Sequence, residues 1–208
     1  MKRCVLIGGV EIDFPLEKYI RDDDFVVCAD RGWQHAVAHG IKPDMIVGDF
    51  DSSPYPETPD ADVTVLPVVK DDTDTFYIAR HLVENGYTDV LLRGMIGGKR
   101  IEHTIANIQT LNYFAENRVN ATAIDSCSQL MVIKDGNVNL PDMPDKFFSL
   151  FSMGERAEGV TVKGAKYPLD SYTVTNLYPI GISNEFIGEA VEISVKNGSL
   201  LLVITEKD

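Results

Sequence analysis

The chain has 208 residues, of which 44% are hydrophobic and 25% are charged. Folding buries roughly 70% of the extended-chain surface at this length, which excludes intrinsic disorder and a small disulfide-stapled scaffold. The formal net charge of −13 repels phosphodiester backbones and anionic lipid, so we expect neither nucleic acid nor a membrane as partner.

Cysteine usage and the N-terminus indicate a cytoplasmic protein. The three cysteines, Cys4, Cys28 and Cys127, are widely spaced and show no metal-ligand spacing. The apolar run at residues 4–7 is too short for a signal peptide, and no run approaches the ~18 apolar residues of a membrane span.

The first 125 residues alternate short apolar runs with helical patterns. Runs rich in Val, Ile and Leu predict strands at residues 4–7, 25–28, 45–47, 63–69, 90–92 and 119–124. Their nearly continuous apolar character suits strands covered on both faces. Strands and helices in repetition predict an α/β fold with a mostly parallel, Rossmann-like, doubly wound sheet.

Two helices are predicted between these strands. The first begins at a cap, Asp72 or Thr73, and ends at Asn85-Gly86, which supplies a left-handed stop. The second spans residues 101–117 and places four apolar residues on one side: Ile101, Ile105, Ile108 and Leu111.

The last 65 residues predict a smaller all-β sandwich lobe. Short β-branched or aromatic runs lie at residues 147–151, 159–162, 171–175, 191–195 and 200–204. The pair Asn197-Gly198 predicts a two-residue hairpin turn between the last two runs. Residues 135–146, with two prolines and several acids, form the predicted linker. We therefore expect an α/β domain at 1–134 and a β-sandwich domain at 147–208.

Acidic residues are concentrated between residues 44 and 74, with Lys70 the single base. The nine acids are Asp44, Asp49, Asp51, Glu57, Asp60, Asp62, Asp71, Asp72 and Asp74. The sequence Gly-Asp-Phe-Asp-Ser at 48–52 follows a buried strand, and strand alternation sends Asp49 and Asp51 to one side with Phe50 turned away. Oxygen ligands of this kind at the carboxyl end of a strand suit Mg²⁺. The alternative interpretation is an acidic turn that only faces solvent.

Asp74 and a glycine-rich segment complete the candidate site. Asp74 opens a helix after the next strand, so three acids from two strand ends could make one metal site, although acids at a helix N-terminus also serve as local caps. The glycines and bases of residues 94–100 suit phosphate oxygens. This segment is not a P-loop, because the Gly-Lys-Ser/Thr ending is absent.

These residues together resemble the thiamine pyrophosphokinase family. The resemblance is carried by Cys-Ala-Asp-Arg-Gly at 28–32, the segments at 42–52 and 72–74, Gly94 to Asn107, and the C-terminal segments at 163–169 and 181–185. It implies an α/β lobe plus a β-sandwich lobe, and a homodimer with the active site at its interface. It also implies transfer of the β,γ-pyrophosphoryl group of ATP to the hydroxyl of thiamine, with release of AMP and a requirement for Mg²⁺.

The resemblance also implies roles for individual residues. Asp49, Asp51 and Asp74 are expected to contact metal, nucleotide and the reacting hydroxyl, and either Asp49 or Asp74 to accept the hydroxyl proton. The residues expected to line the cleft or bind the nucleotide are Asp30, Arg31, Thr73, Arg100, His103 and Asn107. Ser183 and Asn184 are expected to contact thiamine.

Two departures from the family pattern stand out. Arg31 replaces a usual glycine, where it could add a phosphate contact or narrow the pocket, and Glu102 replaces a usual aspartate. An aromatic contact to the cationic thiazolium could come from Trp33, Tyr167 or Phe186.

Three other functions fit parts of the sequence. A phosphatase of the haloacid dehalogenase kind would use Asp49 as a nucleophile, but its motif belongs after the first strand rather than the third. A related pyrophosphokinase could act on a pterin alcohol. A non-catalytic thiamine-binding regulatory protein would not need three acids for a metal.

Overall fold

A computed structural model describes residues 2–50, 54–56, 61–67 and 72–207 of the chain. Contacts divide the chain into two compact units, Met1–Ser126 and Cys127–Asp208. The first unit is α/β and the second, smaller unit is built from strands, as the sequence predicts.

The first unit is built on a parallel sheet in the order β6-β5-β1-β2-β3-β4. Its strands are β1 (Arg3–Ile7), β2 (Phe25–Ala29), β3 (Met45–Gly48), β4 (Asp62–Val65), β5 (Asp89–Arg93) and β6 (Asn120–Ile124). Its helices are α1 (Gly32–Ala38), α2 (Asp74–Glu84) and α3 (Ile101–Glu116), with a short 3-10 helix at Leu16–Tyr19. The predicted mostly parallel sheet is thus confirmed.

Both faces of this sheet are covered. Val5 and Ile7 of β1 join a buried apolar cluster that includes Ala36 of α1. Cys4 and Leu6 alternate with them along the strand and are equally buried, so they face the opposite layer. This arrangement explains why the strand sequences read as continuous apolar runs.

The two longer helices begin and end close to the predicted residues. The hydroxyl oxygen of Thr73 accepts a hydrogen bond from the Phe76 N–H at 3.1 Å, which caps the start of α2. Gly86 follows the helix with a φ of 73°, as expected for a left-handed stop. The apolar side of α3 is only partly covered, because Ile101 and Ile105 are 66% and 54% exposed.

The second unit contains two antiparallel sheets, in the orders β12-β9-β14-β7 and β11-β10-β13-β8. The strands are β7 (Ser128–Lys134), β8 (Asn137–Leu140), β9 (Lys146–Ser152), β10 (Arg156–Lys163), β11 (Leu169–Thr175), β12 (Gly181–Glu185), β13 (Val191–Ser194) and β14 (Ser199–Glu206). Side chains from both sheets form one core, in which Leu200, Leu202 and Ile204 of β14 meet Val160 and Val162 of β10. This is a β-sandwich.

The predicted hairpin at Asn197-Gly198 is wrong. β13 pairs with β10 and β8, whereas β14 pairs with β7 and β9, so the turn carries the chain from one sheet to the other. Gly198 has the positive φ of 108° that the turn signal requires. The dipeptide therefore marks a real turn, but a local turn signal does not determine which strand pairs with which.

The predicted linker at residues 135–146 is wrong in part. It contains β8, which pairs with β13 from Asn137 to Leu140. β7 and β12 were also not predicted; β12 is short, and its residues Ile182 and Ser183 are exposed, so it lacks an apolar signal.

Candidate active site

The strands of the parallel sheet end together at one edge. Ile7 of β1 lies opposite Cys28 and Arg93, and Ala29 of β2 lies opposite Val47. The chain segments that follow β1, β2, β3 and β5 therefore lie along one edge, which we call the carboxyl edge. Ligands of open α/β sheets bind at this edge.

Asp30 is the first residue after β2. Its N–H donates a hydrogen bond to the Val47 carbonyl at 2.8 Å, and its φ of 45° is a conformation that non-glycine residues rarely adopt. A Cβ at Gly48 would lie 3.1 Å from the Asp30 Cα. The absence of a side chain at Gly48 therefore lets the end of β3 approach Asp30 closely. Asp30, which is predicted to bind the nucleotide, is thereby held next to Asp49.

Asp49 is half-buried and directly follows β3. The strand ends at Gly48, and Phe50 has a φ of 52°, with its ring packed on the core and 5.5 Å from the Tyr55 ring. Strand alternation therefore does not continue past Gly48, so the argument that placed Asp49 and Asp51 on one side does not apply. Asp51 lies outside the described residues.

Asp74 opens α2 and is also half-buried. The chain leaves β4 at its carboxyl end before entering this helix, and α2 packs against β2 and β3. The topology therefore places Asp74 at the carboxyl edge. The Thr73 cap fixes the residue at which the helix starts. A carboxylate in the first turn is favoured by the partial positive charge of the helix N-terminus.

Three other acids of the predicted cluster serve different purposes. Asp44 precedes β3 at the opposite edge, where its carboxylate accepts a hydrogen bond from the Val26 N–H at 2.8 Å. Asp62 begins β4, also at that opposite edge. Asp72 forms an ion pair with Arg80. The remaining acids of the cluster, Asp51, Glu57, Asp60 and Asp71, lie outside the described residues.

The acidic side chains at the carboxyl edge carry oxygen atoms, which are the ligand type of a hard divalent cation. In the described part of the chain, no group of three His, Cys, Asp or Glu side chains is arranged to hold a metal ion. Asp51, the third predicted ligand, is not within that part. Asp49 and Asp74, the two predicted ligands that the structure describes, offer carboxylate oxygens, the ligand type that Mg²⁺ prefers over nitrogen or sulfur.

The segment after β5 is a glycine-rich loop fixed to α3. Gly94, Gly97 and Gly98 have φ values of 63°, 82° and 77°. The Asn107 side chain donates a hydrogen bond to the Met95 carbonyl at 2.7 Å, and the Gly97 N–H donates to the Thr104 hydroxyl oxygen at 3.0 Å. Asn107 therefore acts by bracing this loop, and Thr104 is a second brace that we did not predict.

The basic residues predicted to bind the nucleotide are exposed near this loop. Arg100 precedes α3, and its Nε donates to the Glu102 carboxylate at 2.8 Å. This hydrogen bond lowers the pKa of Glu102, so the carboxylate stays ionised. His103 is exposed one residue further on. The glutamate that departs from the family pattern thus pairs with a neighbouring base.

Arg31 lies beside the loop after β1. It is exposed and precedes α1 directly. A Cβ added at Gly9 would lie 3.4 Å from the Arg31 Cβ, and one added at Gly32 would lie 2.1 Å from the Ile7 carbonyl oxygen. Gly32 therefore packs α1 directly on the end of β1, and Arg31 stands at the carboxyl edge next to Gly9.

The residues predicted to contact thiamine lie on β12 of the second unit. Ser183 is exposed with a φ of 53°, and its N–H donates to the Ser149 hydroxyl oxygen at 3.0 Å. Asn184 is buried, and its amide accepts from the Tyr167 N–H and donates to the Tyr167 carbonyl at 3.0 and 2.7 Å. Asn184 therefore positions Tyr167, whose side chain is 57% exposed.

The other two aromatic candidates are less available. Phe186 is buried in the core of the second unit, with its ring 5.3 Å from that of Phe148. Trp33 is partly buried against the core of the first unit. Of the three predicted aromatic contacts, Tyr167 is the most exposed, and the Lys166 Nζ lies 5.5 Å from its ring centre.

Within the described residues, every helix is too short or too polar to cross a membrane.

Comparison with known proteins matches both units of the chain. The thiamin pyrophosphokinase catalytic domain family matches residues 16–123, and the thiamin pyrophosphokinase vitamin B1 binding domain family matches residues 137–200. The thiamine pyrophosphokinase of Bacillus subtilis is 25% identical in an alignment of 206 positions that covers 96% of each chain.

Solved structures show the same fold over the whole chain. The crystal structure of the Bacillus subtilis protein superposes with a TM-score of 0.89 at 24% identity, covering 100% of both chains. That of thiamin pyrophosphokinase from Geobacillus thermodenitrificans gives a TM-score of 0.84 at 28% identity, covering 99% of this chain and 98% of the other.

Proposed function

Because this chain belongs to the thiamine pyrophosphokinase family, we propose that its carboxyl edge binds ATP and is where the pyrophosphoryl group is transferred. The chain is a thiamine diphosphokinase, an enzyme that uses thiamine and a nucleotide. No observation favours a pterin alcohol as acceptor or a non-catalytic protein. The proposal identifies the nucleotide, the metal and the residues that act.

One observation carries the proposal. Two half-buried aspartates, Asp49 and Asp74, and a braced glycine-rich loop follow strands that end at the same edge. Carboxylates alone would repel a triphosphate, and a glycine-rich loop alone would not identify this edge of the sheet as the binding site. Their combination suits a phosphate chain that arrives with its cation.

In the reaction, the hydroxyl oxygen of thiamine attacks the β-phosphorus of ATP, the bond from this phosphorus to the oxygen of the α-phosphate breaks, and AMP leaves. Such chemistry depends on in-line positioning and neutralisation of charge rather than on a covalent intermediate. Bound Mg²⁺ would supply that neutralisation at the phosphate oxygens.

Different residues would bind the cation, accept the proton and bind the nucleotide. Asp49, Asp51 and Asp74 would hold the cation, and Asp49 or Asp74 would accept the hydroxyl proton. The nucleotide would be bound by Asp30 and Thr73 in the cleft, by Arg31, Arg100 and His103 as donors to phosphate, and by Asn107 through the loop that it braces.

Thiamine would be bound by the β12 region of the second unit. Ser183 offers an exposed hydroxyl, and Asn184 holds the exposed ring of Tyr167 in place. An aromatic ring of this kind contributes about 0.5–2 kcal/mol against a cation such as the thiazolium.

The proposal includes a homodimer with the active site at its interface, in the cytoplasm. Cys4, Cys28 and Cys127 are all in the reduced form, which suits a reducing compartment. Light scattering should give a mass near twice the 23.0 kDa of the chain, and cell fractionation should recover the protein with the cytosol. A monomer that is fully active would contradict the shared site.

The experiment that tests this function is product analysis. The purified protein is incubated with ATP, Mg²⁺ and either thiamine or a hydroxymethylpterin, and the nucleotide products are separated. We expect AMP and thiamine diphosphate with thiamine alone, loss of both after EDTA, and recovery on adding Mg²⁺. Formation of ADP or free phosphate, or AMP with the pterin only, would overturn the proposal.

A further inference from the structure

Arg93, the last residue of β5, is a cation buried inside the first unit. Its side chain is 0% exposed, and none of its three guanidinium nitrogens has a hydrogen-bond partner among the described residues. Its guanidinium carbon lies 3.8 Å from the centre of the Phe14 ring and 4.0 Å from that of the Tyr19 ring. The two rings stand edge to face, with their centres 6.0 Å apart and their planes at 74°. The guanidinium therefore lies in the corner that the two rings form.

Stability alone does not account for this residue. Burial lowers the pKa of Arg93, opposed in part by Tyr19 and Asp125, because an enclosed site disfavours the charged form. A buried charge without a hydrogen-bonded partner is expensive, so burial alone gives no reason for an arginine here. Its benefit is geometric, because a cation in contact with both rings holds their edge-to-face arrangement in place.

The two rings belong to the connection between β1 and β2, which begins with Gly8-Gly9. The carbonyl of Arg93 accepts a hydrogen bond from the Gly8 N–H at 2.8 Å, and the carbonyl of Gly94 accepts one from the Val10 N–H at 2.9 Å. Arg93 thus contacts both ends of this connection, through its backbone at the start and through its side chain further along.

The glycine-rich loop starts at the next residue after Arg93. A Cβ at Gly94 would lie 2.8 Å from the Gly8 carbonyl oxygen, so the two loops are in direct backbone contact. Asn107 and Thr104 brace the glycine-rich loop from α3, and the β1–β2 connection supports its other side. The position of the β1–β2 connection therefore sets the position of the loop.

We propose that Arg93 is a positioning residue for nucleotide binding: by contacting the rings of both Phe14 and Tyr19 it fixes the β1–β2 connection against the glycine-rich loop at the carboxyl edge. This inference rests on the proposed function, which assigns the nucleotide to that edge. Arg93 touches no reacting atom and acts through the backbone of residues 8–10 and 94–98.

The test uses Arg93→Met, Arg93→Lys and Tyr19→Leu in the full chain. Met keeps the length without the charge, Lys keeps the charge without the planar guanidinium, and Tyr19→Leu removes one ring at a partly exposed position. We expect all three to raise the KM for ATP, by about tenfold or more for Arg93→Met, while the KM for thiamine stays unchanged. Equilibrium binding of a non-hydrolysable ATP analogue should weaken in parallel.

The control is Phe114→Leu, which leaves a cavity at a fully buried residue of α3, two helical turns beyond the loop-bracing Asn107. It should lower the melting temperature and leave the KM for ATP unchanged. The inference is wrong if the variants at Arg93 and Tyr19 change only the melting temperature, or if both KM values rise equally. Failure of the proposed function would appear instead in the wild-type protein, as an absence of AMP.

Discussion

At the level of residues, substitutions at Asp49 and Asp74 can be compared with the same substitution at Asp62, which lies elsewhere in the sheet. Asp49 and Asp74 follow strand ends at the carboxyl edge, whereas the exposed Asp62 begins a strand at the opposite edge. Substitution by asparagine keeps the size and removes the charge. The three variants therefore separate the effect of position from the effect of the change itself.

We expect Asp49→Asn and Asp74→Asn to lower kcat by about 100-fold or more, because each removes a proposed metal ligand or proton acceptor. Asp62→Asn should keep its activity, and all three should keep the melting temperature. The assay is AMP formation under saturating substrates. A large loss of stability in Asp49→Asn, with normal activity per folded molecule, would make that residue structural.

At the level of residues, the sequence predicted which acids follow strands but not how they are presented. The pattern after β3 suggested continued strand alternation, yet Phe50 turns into the left-handed region. That turn depends on packing of the Phe50 ring against the core and Tyr55, which involves residues distant in the sheet. Asn107 was predicted to bind the nucleotide, and its bond to the Met95 carbonyl became visible only in three dimensions.

At the level of elements, the start of α2 determines where Asp74 lies in the proposed site. The Thr73 hydroxyl accepts from the Phe76 N–H, and the helix then presents Asp74 in its first turn. Loss of the cap should loosen that turn before it affects the rest of the helix, because the first N–H groups have no other partner.

Thr73→Ala should therefore lower the stability by about 1 kcal/mol and the melting temperature by about 2–4 °C. Activity should fall further than this loss explains, since Asp74 is displaced. Thr73→Ser keeps the hydroxyl and should restore both. If alanine and serine behave alike in thermal melts and AMP assays, the cap has no such role.

Elements with a strong local signal were predictable, and those defined by their partners were not. The strands of the parallel sheet are buried on both faces, so their apolar runs are visible in the sequence. β12 has a single buried residue, the polar Asn184, and it exists because it pairs with β9. The turn at Asn197-Gly198 was visible, but its strands join different sheets because each completes a separate face of the sandwich core.

At the level of the whole molecule, the charge of the chain makes a divalent cation important to the proposed binding of nucleotide. With a formal net charge of −13, the protein repels a free triphosphate, and the described bases beside the loops of this edge, Arg31, Lys99, Arg100 and His103, are exposed. Nucleotide should therefore bind far more weakly without a divalent cation.

The most direct test is a crystal structure with Mg²⁺ and a non-hydrolysable ATP analogue. We expect the phosphates at the carboxyl edge beside the glycine-rich loop, with carboxylate oxygens of Asp49 or Asp74 about 2.1 Å from the cation or joined to it through its waters. Phosphates bound at the opposite edge or within the second unit alone, with Asp49 and Asp74 facing solvent, would contradict the account.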